Sequence, residues 1–145
     1  MIQQAHPHTV CLQETKLSQI DDRLSLEILG QSCWRLEYLP ADETRGGIAI
    51  AWNRDFITCH SLKPGRKDYS LSTQITLNLT NSSFLLTAVY RPTEHSEKMN
   101  FLAELISCQP TQPTPWICLG DFKLIYEARD KNNGNINRAL MSRFR

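Results

Sequence analysis

Pro113 and Pro115 precede a short apolar run, Trp116-Ile117-Cys118-Leu119, that stops at a glycine and at once presents a carboxylate, in Gly120-Asp121-Phe122-Lys123. A run of that length, apolar at every position and bounded by proline and glycine, predicts a strand covered on both faces. Open α/β sheets place their ligands at the carboxyl ends of such strands, where side chains escape the packed layers. Asp121 is therefore positioned for chemistry. Two further runs end in a similar way: Thr9 to Leu12 delivers Gln13-Glu14-Thr15, and Phe84 to Val89 delivers Tyr90-Arg91-Pro92. Three predicted strands thus finish in Glu14, Tyr90 and Asp121.

The chain between these points alternates in kind. Ser18-Gln19-Ile20-Asp21 reads as a capping box with Asp in place of Glu, opening a helix of about three turns in which Leu17, Ile20, Leu24 and Ile28 recur at helical spacing and Gly30 gives the stop. Trp34 to Leu39 alternates apolar and charged residues and predicts a half-exposed strand ending at Pro40. Gly46-Gly47 permits a sharp turn into Ile48 to Trp52, apolar throughout and expected to be covered on both faces. Lys63-Pro64-Gly65-Arg66-Lys67, the most basic stretch, reads as a solvated loop rather than a phosphate-contacting patch. Leu71, Thr73, Ile75, Leu77 and Leu79 then alternate at a period of two, and Asn81-Ser82-Ser83 turns into the Phe84 run, so the fold contains a hairpin and is not purely parallel.

From Glu94 to Cys108, Met99, Leu102, Leu105 and Ile106 form one apolar helical face, with Thr93 or Ser96 as the cap. Asn137 is placed to cap a last helix from Arg138, which the chain leaves after about two turns.

One domain fits 145 residues, and a hydrophobic fraction of 41% with 21% charged residues gives no sign of disorder or of a membrane span. A formal net charge of +1 supplies no global attraction for nucleic acid, so any such contact must come from local Arg and Lys. The five cysteines, Cys11, Cys33, Cys59, Cys108 and Cys118, lack any paired spacing and predict reduced, intracellular thiols. No signal peptide is legible at Met1 to His8.

Four motifs stand in order: Leu12-Gln13-Glu14-Thr15-Lys16; Gly46-Gly47-Ile48 with Trp52-Asn53; Val89-Tyr90-Arg91-Pro92; and Leu119-Gly120-Asp121-Phe122. Together they resemble the endonuclease/exonuclease/phosphatase superfamily, and most nearly the endonuclease domains of plant LINE-type, non-LTR retrotransposons. The tail Asn133-Gly134-Asn135-Ile136-Asn137-Arg138 is similar to that lineage too. The resemblance implies an α/β fold, a partial two-sheet sandwich of mixed sheets with outer helices. It also implies that residues 1–145 form a single truncated domain, with a first strand and a C-terminal portion missing.

For function the resemblance implies a Mg²⁺- or Mn²⁺-dependent phosphodiesterase that nicks DNA. Hard oxygen ligands holding such an ion neutralise the phosphate and activate water. Glu14 matches the family's metal ligand, Asp121 the residue that orients or activates water, and Tyr90 the tyrosine that donates to a phosphate oxygen. Read without the motifs, Glu14 is a surface carboxylate near a helix start, Asp121 a partner for loop amides, and Tyr90 an amphipathic residue at a sheet edge.

Lys123 departs from the pattern: it stands where the family keeps asparagine, and the expectation is that its ammonium pairs with Asp121 or Glu14 and weakens metal binding. None of His6, His8, His60 and His95 matches the family's catalytic histidine. The expected protein is thus a catalytically impaired endonuclease fragment, nuclear if it serves a retrotransposon, monomeric or associating non-specifically through exposed edges. The alternative is an inactive interaction or structural remnant.

Overall fold

The computed structural model describes residues 7–30, 33–42, 46–92, 94, 96–122, 124, 127–130 and 138–144. Among these residues seven strands form two sheets. The first has the order β1 (Thr9–Gln13), β3 (Ile48–Asn53), β2 (Trp34–Leu39), antiparallel throughout. The second has the order β4 (Ile57–Arg66), β5 (Ser70–Leu77), β6 (Ser82–Tyr90), β7 (Trp116–Asp121). It is the mixed one: its first three strands are antiparallel, while β7 joins β6 in parallel after the crossover through α2 (Lys98–Ser107).

Between the sheets lies the main core, Ile48, Ile50, Ile57, Leu71, Ile75, Leu86 and Ala88. Period two in β3 explains why Ile48 to Trp52 are apolar at every position. Ile48 and Ile50 fill the inner layer, while Ala51 turns outward to Leu29 of α1 (Asp22–Leu29) and to Trp34. On the far side Val89, Tyr69 and Phe101 of α2 form a third cluster. The expected α/β sandwich with outer helices is the observed one, and α3 (Arg138–Phe144) adds a short last helix.

Several local expectations change. The cap of α1 is Asp21, whose side chain accepts from the Leu24 N–H at 2.7 Å; the helix is therefore about two turns rather than three, and Gly30 closes it in the left-handed conformation at φ 76°. In α2 the buried residues are Phe101 and Leu102, while Met99 and Ile106 face solvent. The residue at its cap position is Glu97, without a side-chain cap bond; Thr93 and Asn137 lie outside the described residues.

The basic stretch is not a free loop. β4 runs through Pro64 and Gly65 with a register shift between Ser61 and Arg66, which an edge strand tolerates because its outer N–H groups have no ladder partner to lose.

Of the two strands expected to be covered on both faces, β3 is and β7 is not. Ile117 and Leu119 are 43% and 44% exposed. They stand in register with Leu86 and Ala88 and so share the inter-sheet face, but β7 is the last strand of its sheet and the shorter first sheet does not cover it. The strand also continues past Gly120 to Asp121 instead of stopping at the glycine.

Candidate active site

β1 ends at Gln13, β6 at Tyr90 and β7 at Asp121, all at one rim of the sandwich. Parallel pairing of β6 with β7 puts Tyr90 directly opposite Asp121. From the other sheet, the Gln13 side chain reaches across and its Oε1 accepts the Asp121 N–H at 3.1 Å. Gly46 closes the third side, and a Cβ built there would lie 2.8 Å from Tyr90 Cε1, 2.9 Å from Glu14 Cα and 3.2 Å from Glu14 Cγ. Glu14 and Tyr90 therefore press on one glycine, and Asp121 is tied to both neighbours. The paired glycines serve close approach rather than a turn. Neither has the positive φ that Gly30 and Gly120 show among the described glycines, while a Cβ on Gly47 would fall 2.4 Å from Thr15 Oγ1.

The segment carrying Glu14 is strained. Glu14 and Lys16 have φ of 54° and 27°, a region that costs a residue with a Cβ on the order of 1–3 kcal/mol. It is held by the Thr15 N–H donating to Gly47 O at 3.1 Å and by the Ala41 N–H donating to Leu17 O at 2.8 Å. Such strain persists only where surrounding structure over-determines it, which is common at sites. Thr15 Oγ1 is buried with no hydrogen-bond partner among the described residues.

Lys16 Nζ lies 3.0 Å from Glu14 Oε1, both side chains being well exposed. That hydrogen bond, and then the Glu14 charge, hold the Lys16 ammonium above its ordinary 10.5, with Tyr90 adding a smaller push in the same direction. Lys16 is thus the cation seen beside the carboxylate; the expected Lys123 pairing lies outside the described residues. Sequence reasoning quoted Gln13, Lys16 and Gly46 within their motifs but gave them no roles. A signal was present: a glutamine beside the candidate ligand is placed to reach the neighbouring strand end. Of the two described histidines, His8 stacks on Phe56 at 4.1 Å just ahead of β1, at the end away from Glu14, and His60 sits opposite Gln74 on the edge strand β4.

Glu14, Gln13 and Asp121 offer hard oxygen atoms, the donors that Mg²⁺ takes. No group of three His, Cys, Asp or Glu that would hold a metal occurs among the described residues. Mg²⁺ is commonly held by one or two carboxylates, retained water and the substrate's own phosphate, so the donor set fits a loosely held ion of that kind.

The Endonuclease/Exonuclease/phosphatase family profile matches residues 1–143. Among solved structures, the AP endonuclease LMAP from Leishmania major superposes with a TM-score of 0.64 at 16% identity, over 98% of this chain and 55% of that one. The human Nocturnin catalytic domain with bound sulfate gives 0.61 at 13% identity, over 83% and 53%. D. rerio TDP2 complexed with a single-strand DNA product gives 0.56 at 12% identity, over 88% and 52%. The chain spans about half the length of these structures, and at such identities the likeness shows the fold. No curated protein sequence matches significantly. With nearly the whole sequence covered by the family's own pattern and the sandwich in place, the chain belongs to the endonuclease/exonuclease/phosphatase family.

Proposed function

We propose that this chain is part of a divalent-metal-dependent phosphodiesterase of the DNA endonuclease kind, from the lineage of LINE-type retrotransposons, and that it is catalytically impaired as it stands. The observation that carries the reading is that Glu14 and Tyr90 meet at Gly46 while Asp121 stands opposite Tyr90 on the paired strand. In this reading a bound Mg²⁺ supplies charge neutralisation on the scissile phosphate. Glu14 would hold that ion. Tyr90 donates its hydroxyl to a nonbridging phosphate oxygen, and Asp121 orients a water and takes its proton as the water attacks phosphorus. The phosphodiester gives a phosphomonoester and an alcohol. DNA is the substrate class in this reading, and the nucleus the place of action if the chain serves a retrotransposon.

Impairment follows from Lys123 and from the lack, among His6, His8, His60 and His95, of a match to the family's catalytic histidine. The exposed pair of Lys16 with Glu14 belongs to the motif itself and offers a dication only weak competition. Lys123, where the motif family has a neutral amide, adds a second positive charge two residues after Asp121.

Calorimetric Mg²⁺ titration with a plasmid-nicking assay tests this. Weak Mg²⁺ binding that disappears in Glu14→Ala, with little nicking, is the expected pair of results. Efficient Mg²⁺-dependent nicking lost in Glu14→Ala would remove the impairment and leave the enzyme. Absence of any Glu14-dependent metal binding would leave the chain as an inert remnant of the family.

A further inference from the structure

Gly46 has two sides. One presses on Glu14 and Tyr90, and the other lines a cavity of about 450 Å³ at the same rim, between the end of β2 and the turn that joins β4 to β5. Gly46 is thus shared by the candidate active site and the cavity. Leu39, Pro40 and Ala41 form an apolar wall, and Asp42, Lys67 and Asp68 carry the charge. Both walls are fixed before any ligand arrives. The Ala41 N–H donates to Leu17 O at 2.8 Å, which ties one wall to the strained Glu14 segment. In the other wall the Lys67 N–H donates to Ser70 O at 3.0 Å and the Asp68 N–H to Glu104 Oε2 at 3.1 Å. The Lys67 ammonium donates to the Ser107 hydroxyl at 2.6 Å, a bond that orients it and leaves two of its three donors for a ligand.

We propose that this cavity is a base-binding subsite and that it takes the guanine of a nucleotide adjoining the scissile phosphate. The inference rests on the phosphodiesterase reading for its purpose, though not for base binding itself. Charge selects the part of the substrate that enters. Two carboxylates against one ammonium turn a phosphate away and leave it at the rim, whereas a neutral base meets no such repulsion. An apolar wall with a few convergent polar groups is the common lining of small-molecule sites of this size. Among the DNA bases guanine alone presents two adjacent donors, N1–H and N2–H, which one carboxylate accepts together, and on the neighbouring edge two acceptors, O6 and N7, which match a lysine. Adenine and cytosine set an acceptor nitrogen beside their amino group, and thymine has a single N–H between two carbonyl oxygens, so each would turn an acceptor toward a carboxylate. Carboxylates and an ammonium in one cavity therefore discriminate in guanine's favour.

Amide NMR titration of the full chain with each of the four deoxynucleoside monophosphates, in excess chelator, tests the proposal. All four carry the same sugar and phosphate, so differences among them report the base, and the chelator keeps metal binding at Glu14 out of the result. The expected result is a Kd of about 1 mM for dGMP, about tenfold or more tighter than for the other three, with shifts centred on the amides of Ala41, Asp42, Gly46, Lys67 and Asp68. Asp42→Asn combined with Asp68→Asn should abolish the preference; both side chains are exposed, so the urea midpoint should hold. Glu27→Gln, which removes a carboxylate on α1 outside the cavity, should leave the Kd within about twofold. Equal affinity for the four nucleotides overturns the proposal, as does a preference that survives in the double variant, shifts centred away from the cavity, or no binding up to about 10 mM. Loss of Glu14-dependent Mg²⁺ binding would undo the phosphodiesterase reading and leave a guanine preference standing, so the two failures are distinct.

Discussion

Replacing Gly120 by alanine tests whether the β6–β7 pairing depends on a missing side chain. A Cβ at this position would lie 2.1 Å from the Val89 carbonyl oxygen, 2.5 Å from Val89 Cγ2 and 2.9 Å from Gln13 Nε2. The first obstacle is backbone belonging to the residue paired with Gly120, so no rotamer change removes it. An ordinary carbon-to-oxygen contact requires the strands to part by roughly 1 Å at the pair just before Tyr90 and Asp121. Overpacking of a core typically costs 1–3 kcal/mol. Here the upper end applies, about 3 kcal/mol, because the displacement also strains the ladder and the bond from the Asp121 N–H to Gln13.

Against a total stability of about 5–15 kcal/mol this is a large share, visible as a fall of about 1.5 M in the urea midpoint if the denaturant slope is near 2 kcal/mol/M. Gly30→Ala gives the scale for backbone strain, about 1 kcal/mol at a φ of 76°. Equilibrium unfolding at one fixed chain concentration makes the comparison. A Gly120→Ala variant within about 0.5 kcal/mol of the parent would refute the close approach.

Glu104 on α2 accepts from the Asp68 N–H at 3.1 Å, the Tyr69 N–H at 2.9 Å and the Ser70 hydroxyl at 2.6 Å, so Glu104→Ala should cost about 3 kcal/mol in urea unfolding by stranding donors around buried Tyr69 and Ser70. Thr15→Val removes a buried hydroxyl oxygen without a partner among the described residues and should stabilise by about 1 kcal/mol in the same assay; a loss would mean that the hydroxyl is satisfied. Burial pushes the thiols of Cys11, Cys59 and Cys118 from 9.0 up to about 11. The folded chain thus keeps protons that the unfolded chain releases, and this stabilisation is complete below pH 9 and lost as pH rises through about 11. Cys11 contributes up to about 3 kcal/mol of it, so unfolding midpoints should fall over that window less steeply in Cys11→Ala; equal slopes would reject the burial argument.

The strand ends were legible because β-period patterning and punctuation are local. The Thr9 run, the Phe84 run and the Gly-Asp after Leu119 each announce where a side chain leaves the sheet, and the structure gathers those three ends. Locality also explains the failures. Ser18 and Asp21 can each cap a helix, and only the finished turn shows Asp21 doing so. Pro64-Gly65 reads as a loop in isolation, whereas an edge position in a sheet accommodates both. In α2 Phe101 lies between the residues assigned to the apolar face, and its place against Tyr69 and Val89 depends on the crossover and not on the helix. Lys16 sits two residues from Glu14 in sequence, but its contact requires positive φ at both, which patterning does not encode.

Ile117 and Leu119 mark a different limit. A run apolar at every position says that both faces of a strand are to be covered, without saying by what, and in this chain the inner face of β7 looks past the end of the other sheet. That uncovered edge ends at Asp121, on the rim where Glu14 and Tyr90 meet. Any strand that pairs with β7 along its length therefore brings its own side chains next to Asp121. Extending the sheet and changing the chemistry of the rim are then one event, and substitutions at Leu119, which touch no catalytic group, should alter the rim only under conditions in which the edge is paired.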